Sequence, residues 1–336
     1  MTRVADLVEL VRAPAALSVP GDVVAGAAAA GALGPRTPAL ATASVLLYWA
    51  GMAANDWADR RLDAVERPER PIPSGRVSPA LAVGLAAGLT AAGVGLAAAA
   101  GGRRAAAVAV PLAGTIWGYD LLAKNTAAGP AVMAACRGLD VLLGAAGGRP
   151  IRALPAAVTV AAHTWTVTAL SRREVDGADS VLPLRTLVGT ALVAASVAAP
   201  VMPRRRSRPP AAASRHDGTA RTPAPNAADP RPTGEAGRPS VAGGRPGAGR
   251  RAVGAAATAL PAVLAGWYAA RYGAAQARVV TKPTAGRVRA AVGAGITGLP
   301  ALQGALTARA GAGLLGLAVA AAAPLARRLA RKVSPT

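Results

Sequence analysis

Apolar residues in this chain come in long blocks separated by short polar stretches. Blocks near the ~20 residues needed to cross a bilayer run at roughly 14–33, 38–54, 79–100, 104–119, 128–146, 154–170, 186–202, 252–270, 288–306 and 311–326. They are rich in Ala, Gly, Val and Leu, and small residues let transmembrane helices approach closely. Within lipid only helices and closed barrels satisfy their backbones, and uninterrupted apolar runs lack the alternation of a barrel strand. The pattern predicts an all-α, polytopic transmembrane helical bundle of nine or ten helices.

The polar interruptions carry the chemistry. The second block ends in Asn55-Asp56-Trp57-Ala58-Asp59-Arg60-Arg61-Leu62-Asp63. On a helix, positions 56, 59 and 63 are spaced i, i+3, i+7, so three carboxylates share one face. They repel one another unless a cation sits among them. Hard oxygen ligands suit Mg²⁺, which takes one or two protein carboxylates and completes its shell with water and phosphate. The competing reading is a solvated acidic helix end interleaved with arginines. Pro68, Pro71, Pro73 and Gly75 then break any helix, so 64–78 is predicted to be a loop. Its neighbourhood holds Arg60, Arg61, Arg67, Arg70 and Arg76, which places it on the cytoplasmic side and suits a diphosphate.

Two blocks later, Tyr119-Asp120-Leu121-Leu122-Ala123-Lys124-Asn125-Thr126 returns to the same side by crossing parity. Lys124 is a candidate point charge for phosphate, with Tyr119 and Asn125 as hydrogen-bond donors. Alternatively Trp117 and Tyr119 are interfacial anchors and Lys124 a positive-inside charge. Arg137 and Asp140 stand three apart within an apolar block, either as a structural ion pair or, for Arg137, as a substrate contact. Asp22 is an intramembrane acid or an interfacial residue beside Pro20. A second acidic cluster, Ser171-Arg172-Arg173-Glu174-Val175-Asp176-Gly177-Ala178-Asp179, falls on the cytoplasmic side and reads as the opposite wall of one cavity, with Arg173 facing substrate.

Residues 203–251 differ in kind: eleven arginines stand against Asp217, Asp229 and Glu235 in a Pro/Gly/Ala/Ser background. Such a segment buries no core and is predicted to be a disordered loop inserted in a single domain spanning 1–336. The charged loop after the eighth block and the tail Arg327–Lys332 fall inside with ten spans, which favours ten over nine.

Composition narrows the options. With 52% apolar and 16% charged residues the chain has a membrane protein's balance, and its net charge of +22 follows from loop arginines. No basic surface interleaved with aromatics points to nucleic acid. Cys136, the single cysteine, allows no internal disulfide. His163 reads as a packed residue and His216 lies in the insert. No small-residue cleavage pattern follows the first block, so a removed signal peptide is not expected. The expected location is the cytoplasmic membrane of a bacterium, with the site facing the cytoplasm.

The first cluster resembles the N-D-x-x-D-x-x-x-D motif of the UbiA superfamily of intramembrane prenyltransferases at Asn55, Asp56, Asp59 and Asp63, and residues 67–78 resemble its R-P-x-R-P-I-P-S-G-R-x-S loop. The wording at Ala54–Ser78 and Leu170–Val175 is similar to the branch with EboC-type proteins. The resemblance implies a bundle around a central cavity in which two Asp-rich motifs hold Mg²⁺ and an isoprenyl diphosphate donor. It implies Asn55, Asp56, Asp59 and Asp63 as the first metal–diphosphate site, Lys124 as the basic diphosphate contact with Tyr119 nearby, and Glu174, Asp176 and Asp179 as the second. The second departs from the usual i, i+4 aspartates: position 178 is Ala, and Glu174 and Asp176 diverge on a regular helix, so either Gly177 unwinds the segment so that they converge, or that metal site is weakened. The implied reaction is prenyl transfer to a small hydrophobic or aromatic acceptor, with Asp22 or Asp140 orienting or deprotonating it. The rival is a non-catalytic isoprenoid-lipid carrier that keeps the diphosphate site. A phosphatidyl-transfer enzyme is disfavoured, since no D-G-x-x-A-R run is present.

Overall fold

The computed structural model describes residues 2–12, 18–179, 181–199 and 248–322, the first ten of the last group by backbone alone. The expected disordered insert therefore lies outside the described residues up to position 247, as does the arginine-rich tail. Among the described residues all regular structure is helical: α1 (Val4–Leu10), α2 (Pro20–Ala30), α3 (Thr37–Glu66), α4 (Pro79–Gly118), α5 (Gly129–Gly144), α6 (Leu154–Ser171), α7 (Val181–Ala198), α8 (Ala248–Thr281) and α9 (Ala285–Arg309), with α10 at Gly313–Ala322. The last helix before the tail thus begins a few residues after its predicted block, and α8 starts four residues inside the predicted insert.

The local sequence explains the boundaries. Pro occupies the first turn of α2 to α6, where its missing N–H costs nothing. The Ser78 hydroxyl accepts the Leu81 N–H at 3.2 Å and caps α4. Two predicted blocks, 79–100 and 104–119, are the two arms of α4, which turn back at Gly102 (φ 65°, ψ −158°), a backbone region open essentially to glycine. The arms are tied where the Trp117 indole N–H donates to Thr90 Oγ1 at 3.0 Å. Thr37–Glu66, Pro79–Ala123, Gly129–Gly147 and Val181–Ala198 are each long and apolar enough to cross a bilayer. The chain is an integral membrane protein.

Packing in lipid rests on close contact and not on the hydrophobic effect, so small residues decide where backbones cross. Helices α2 and α5 cross at glycines: a Cβ on Gly26 meets the Val141 carbonyl, and one on Gly144 meets the Val23 carbonyl. One apolar cluster joins α2–α5 through Val23, Leu47, Leu112, Ile116 and Leu143. A second joins α5–α9 through Val141, Val160, Tyr268, Tyr272 and Leu302.

Where these clusters meet lies a buried polar network. Arg137 Nε stands 2.7 Å from Asp22 Oδ2, an ion-pair distance without hydrogen-bond alignment. Gln303 Nε2 donates to Asp22 Oδ1 at 2.6 Å and to the Ser18 carbonyl at 2.7 Å. Asp140 accepts from the Ser44 hydroxyl. The intrahelical pair of Arg137 with Asp140 that the spacing predicts is thus replaced by a pair between α5 and α2. An isolated charge here carries a large desolvation cost, which partners from three other helices offset. His163 packs as expected, with Nδ1 2.8 Å from the Tyr268 hydroxyl.

Candidate active site

The site is built on the last turns of α3, which stays helical to Glu66, so the Asp spacing is read out on a regular helix. Asp56 and Asp63 are buried (4% and 2% exposed) and Asp59 is half-buried. Each carboxylate meets a cation. Arg70 Nη1 lies 2.6 Å from Asp63 Oδ2 and 3.5 Å from Asp56 Oδ1. Arg12 Nη2 lies 2.6 Å from Asp56, and Arg67 Nη1 3.8 Å from Asp63. Lys124 Nζ lies 2.6 Å from Asp59 and donates to Asn55 Oδ1 at 3.2 Å.

The Pro-rich loop earns its place by bringing Arg70 back beneath α3. Backbone bonds Ser74→Arg70 (3.0 Å) and Val77→Pro71 (2.9 Å) make it a compact turn, and buried Ile72 and Val77 anchor it. Gly75, at φ +74°, supplies the reversal. Arg76 does not face the cluster; it ties the loop to α1 through Asp6 (2.8 Å) and Glu9 (2.6 Å). The Asp6 carboxyl also accepts the Arg3 backbone N–H at 2.9 Å, and that bond, then Arg76, holds its pKa below the ordinary 3.8. Arg60, expected to face substrate, instead donates to the Trp57 carbonyl at 2.8 Å and lies 4.8 Å over the Trp57 ring. Arg61 is exposed.

Lys124 reaches α3 because the helix changes pitch. Tyr119–Ala123 forms a π-helical segment, in which the Lys124 N–H donates to the Tyr119 carbonyl five residues back at 2.9 Å. Such bulges recur at functional sites, and here the wider turn brings Tyr119 and Lys124 to the same region. Asn125 is exposed beyond it. Below the ion pairs opens a cavity of about 200 Å³. Arg12, Asn55, Tyr119 and Asp120 line its polar side, and Tyr48, Met52, Ile116, Met133 and Cys136 its apolar side. Arg12 was not singled out by sequence reasoning. It is the described non-glycine residue with a positive φ (44°), a conformation costing of order 1–3 kcal/mol that the surroundings must hold.

The second acidic cluster does not converge. Helix α6 ends at Ser171 and Gly177 takes φ +82°, so the segment unwinds, but without the convergence of Glu174 and Asp176 that unwinding was expected to give. The released chain is used otherwise: the Ala178 N–H donates to the Pro283 carbonyl at 3.2 Å, and Asp179 Oδ1 accepts the Leu182 N–H at 2.9 Å, capping α7. Asp176 is exposed. Glu174 is half-buried, which raises its pKa, with Arg289 opposing. Arg173 lines a separate groove with Arg172, Pro130 and Leu182. Arg172 donates to the Thr126 carbonyl, which links this segment to the loop after Lys124. Asp22, Arg137 and Asp140 do not line the cavity.

Among the described residues no three acidic, His or Cys side chains are placed to hold a metal together. A caged ion therefore does not fit. A different arrangement does: one guanidinium already bridges Asp56 and Asp63, so a cation between these two carboxylates is sterically and electrostatically accommodated. That suits Mg²⁺ held by one or two carboxylates and completed by phosphate oxygens.

The family model described as the UbiA prenyltransferase family matches residues 18–203. A digeranylgeranylglyceryl phosphate synthase of Natronomonas pharaonis is 48% identical over 81 residues, 24% of this chain and 29% of that protein. The same-named protein of Halobacterium salinarum is 34% identical over 191 residues, 54% of this chain and 67% of that one. The chain thus matches under a third of the first relative's length and two thirds of the second's. A solved structure from work on the biosynthesis of digeranylgeranylglyceryl phosphate synthase in membranes superposes with a TM-score of 0.59 at 13% identity, over 91% of this chain and 98% of that one, which establishes the shared fold.

Proposed function

Because the chain belongs to the UbiA prenyltransferase family, we propose that it transfers a prenyl group from an allylic isoprenyl diphosphate to a hydroxyl-bearing lipid acceptor of the glyceryl phosphate type. The observation that carries this is the stacking of a cation-rich carboxylate cluster directly over a largely apolar cavity. The acceptor class rests on the relatives' name, and it falls among the aromatic or other electron-rich acceptors expected from sequence. The named relatives are archaeal, so the expected bacterial source draws no support from them.

Bound Mg²⁺ supplies positive charge that stabilises the departing diphosphate. Asp56 and Asp63 are the residues that would hold it, with Asp59 and Asn55 seating Lys124 beside it. Lys124, Arg70 and Arg12 would turn from the carboxylates to the diphosphate oxygens, where their charge acts as negative charge develops. The cavity's apolar wall keeps water from the allylic centre. Glu174 and Asp176 stand outside this centre and would join it only by moving. The arginines around the cluster support a site facing the cytoplasm.

The test is diphosphate release by the purified chain in lipid, with Mg²⁺ and allylic diphosphates of several lengths, beside Asp59→Asn. Release that needs Mg²⁺, an acceptor and Asp59 supports the reading. Tight donor binding without release from any donor supports the carrier instead.

A further inference from the structure

The cavity contains an acidic side chain that nothing neutralises. Of the buried aspartates among the described residues, Asp6 is held by Arg76, Asp22 by Gln303, Asp56 by Arg12, Asp63 by Arg70 and Asp140 by Ser44. Asp120 is 6% exposed and makes neither a hydrogen bond nor an ion pair with any described residue. It lines the cavity. The nearby cations reach it only as longer-range charges, because Arg12 is bound to Asp56 and Lys124 to Asp59. A buried carboxylate without a partner is costly and calls for a functional explanation.

Its depth indicates which one. A Cβ on Gly51 would sit 3.4 Å from Asp120 Oδ2 and 2.6 Å from Ile116 Cγ2, so Asp120 lies against Gly51, and the bare glycine leaves room at that level. Gly51 precedes Asn55 by four residues on α3, which puts Asp120 about 6 Å deeper than Asn55, the inner end of the cluster. A donor whose diphosphate lies at Asp56–Asp63 and whose chain points inward would present its first carbon near this level.

We propose that Asp120 is a catalytic residue that binds the acceptor's hydroxyl and accepts its proton. This rests on the prenyl-transfer reading. The C–O bond between the allylic carbon and the diphosphate breaks, and its electron pair leaves with the diphosphate. A lone pair of the acceptor oxygen forms the new C–O bond, the hydroxyl proton passes to an Asp120 oxygen, and it is then released to solvent through the polar side of the cavity. No oxidant or further reactant is needed. Asp22 and Asp140, the acids expected in this role from sequence, are sealed in the network between helices and do not reach the cavity.

The experiment uses the full chain in lipid with Mg²⁺, geranylgeranyl diphosphate and two acceptors: a monoprenyl glyceryl phosphate and its analogue with a thiol in place of the hydroxyl. A thiol near its pKa of about 8.5 supplies its own anion and needs no base. Asp120→Asn is expected to slow hydroxyl transfer by about 10²–10⁴-fold, the usual contribution of a positioned base, and thiol transfer by less than about tenfold. Donor affinity and the Mg²⁺ dependence should stay at wild-type values. Equal loss with both acceptors, no loss with either, or a raised Mg²⁺ requirement would each overturn the proposal, the last by making Asp120 a metal ligand. If the variant does not fold, a wild-type solvent deuterium isotope effect decides: slowing for the hydroxyl alone supports the proposal, and equal response of both acceptors overturns it. Absence of transfer to either acceptor by wild type overturns the prenyl-transfer reading itself.

Discussion

Arg70→Gln isolates the electrostatics of the carboxylate cluster. The wild-type guanidinium, 19% exposed, neutralises Asp63 at 2.6 Å and Asp56 at 3.5 Å. Removing one partner of a buried pair costs about 3–5 kcal/mol when a bare charge is left behind. Here the loss is smaller, because Asp56 keeps Arg12 at 2.6 Å and Asp63 keeps the half-exposed Arg67 at 3.8 Å. A net cost of about 2 kcal/mol is expected after discounting for that compensation and for solvent screening. At about 2–4 °C per kcal/mol, this lowers Tm by roughly 4–8 °C. Millimolar Mg²⁺ should then restore the variant more than it stabilises wild type, since the ion takes the place the guanidinium left and binding to the native state alone raises stability. The assay is thermal unfolding in detergent with MgCl₂ against NaCl of equal ionic strength. A variant that melts with wild type, or one that Mg²⁺ does not favour over wild type, would refute the reasoning.

Lys124→Gln should lower kcat/KM for the donor about 100-fold, equivalent to about 2.7 kcal/mol of transition-state stabilisation, in the diphosphate-release assay. Gly144→Ala should cost about 1–3 kcal/mol by overpacking against the Val23 carbonyl, whereas Gly114→Ala, with nothing within 4 Å, should be neutral or stabilising by up to about 1 kcal/mol; thermal melts compare the two. Asp6 has a folded pKa below its ordinary 3.8, so the tie between α1 and the Pro-rich loop is at full strength above that value and is lost as pH falls through the folded pKa. Asp6→Asn should therefore lower stability across the neutral range and flatten its decline below about pH 4, as read from melts at a series of pH values.

The helices were legible because apolar block length is a one-dimensional property that the bilayer reads directly. Even the reversal between the arms of α4 was visible as a polar gap after Gly101-Gly102. The spacing of Asp56, Asp59 and Asp63 was legible for the same reason, since a regular helix converts spacing into a face. Partner identity was not. Arg137 lies three residues from Asp140 but pairs with Asp22, more than a hundred positions away, because the crossing of α2 and α5 decides what each side chain meets. Arg12 gave no signal beyond its charge, since its role depends on a left-handed backbone at the end of α1. Asp120 was hidden by the π-helical turn: it lines the cavity beside Tyr119, on a segment whose altered pitch regular helical spacing does not anticipate, while Lys124 reaches Asp59. At the second acidic cluster the family resemblance implied ligands, and in the fold Asp179 caps a helix, a use that spacing alone does not reveal.

The most direct measurement is the mass of the lipid product made by the purified chain in lipid with Mg²⁺, geranylgeranyl diphosphate and a monoprenyl glyceryl phosphate, with Asp59→Asn alongside. The expected result is an acceptor heavier by one geranylgeranyl group through a new ether bond, formed by wild type and absent from the variant. An unchanged acceptor beside protein that binds the donor tightly would contradict prenyl transfer and leave a carrier in its place.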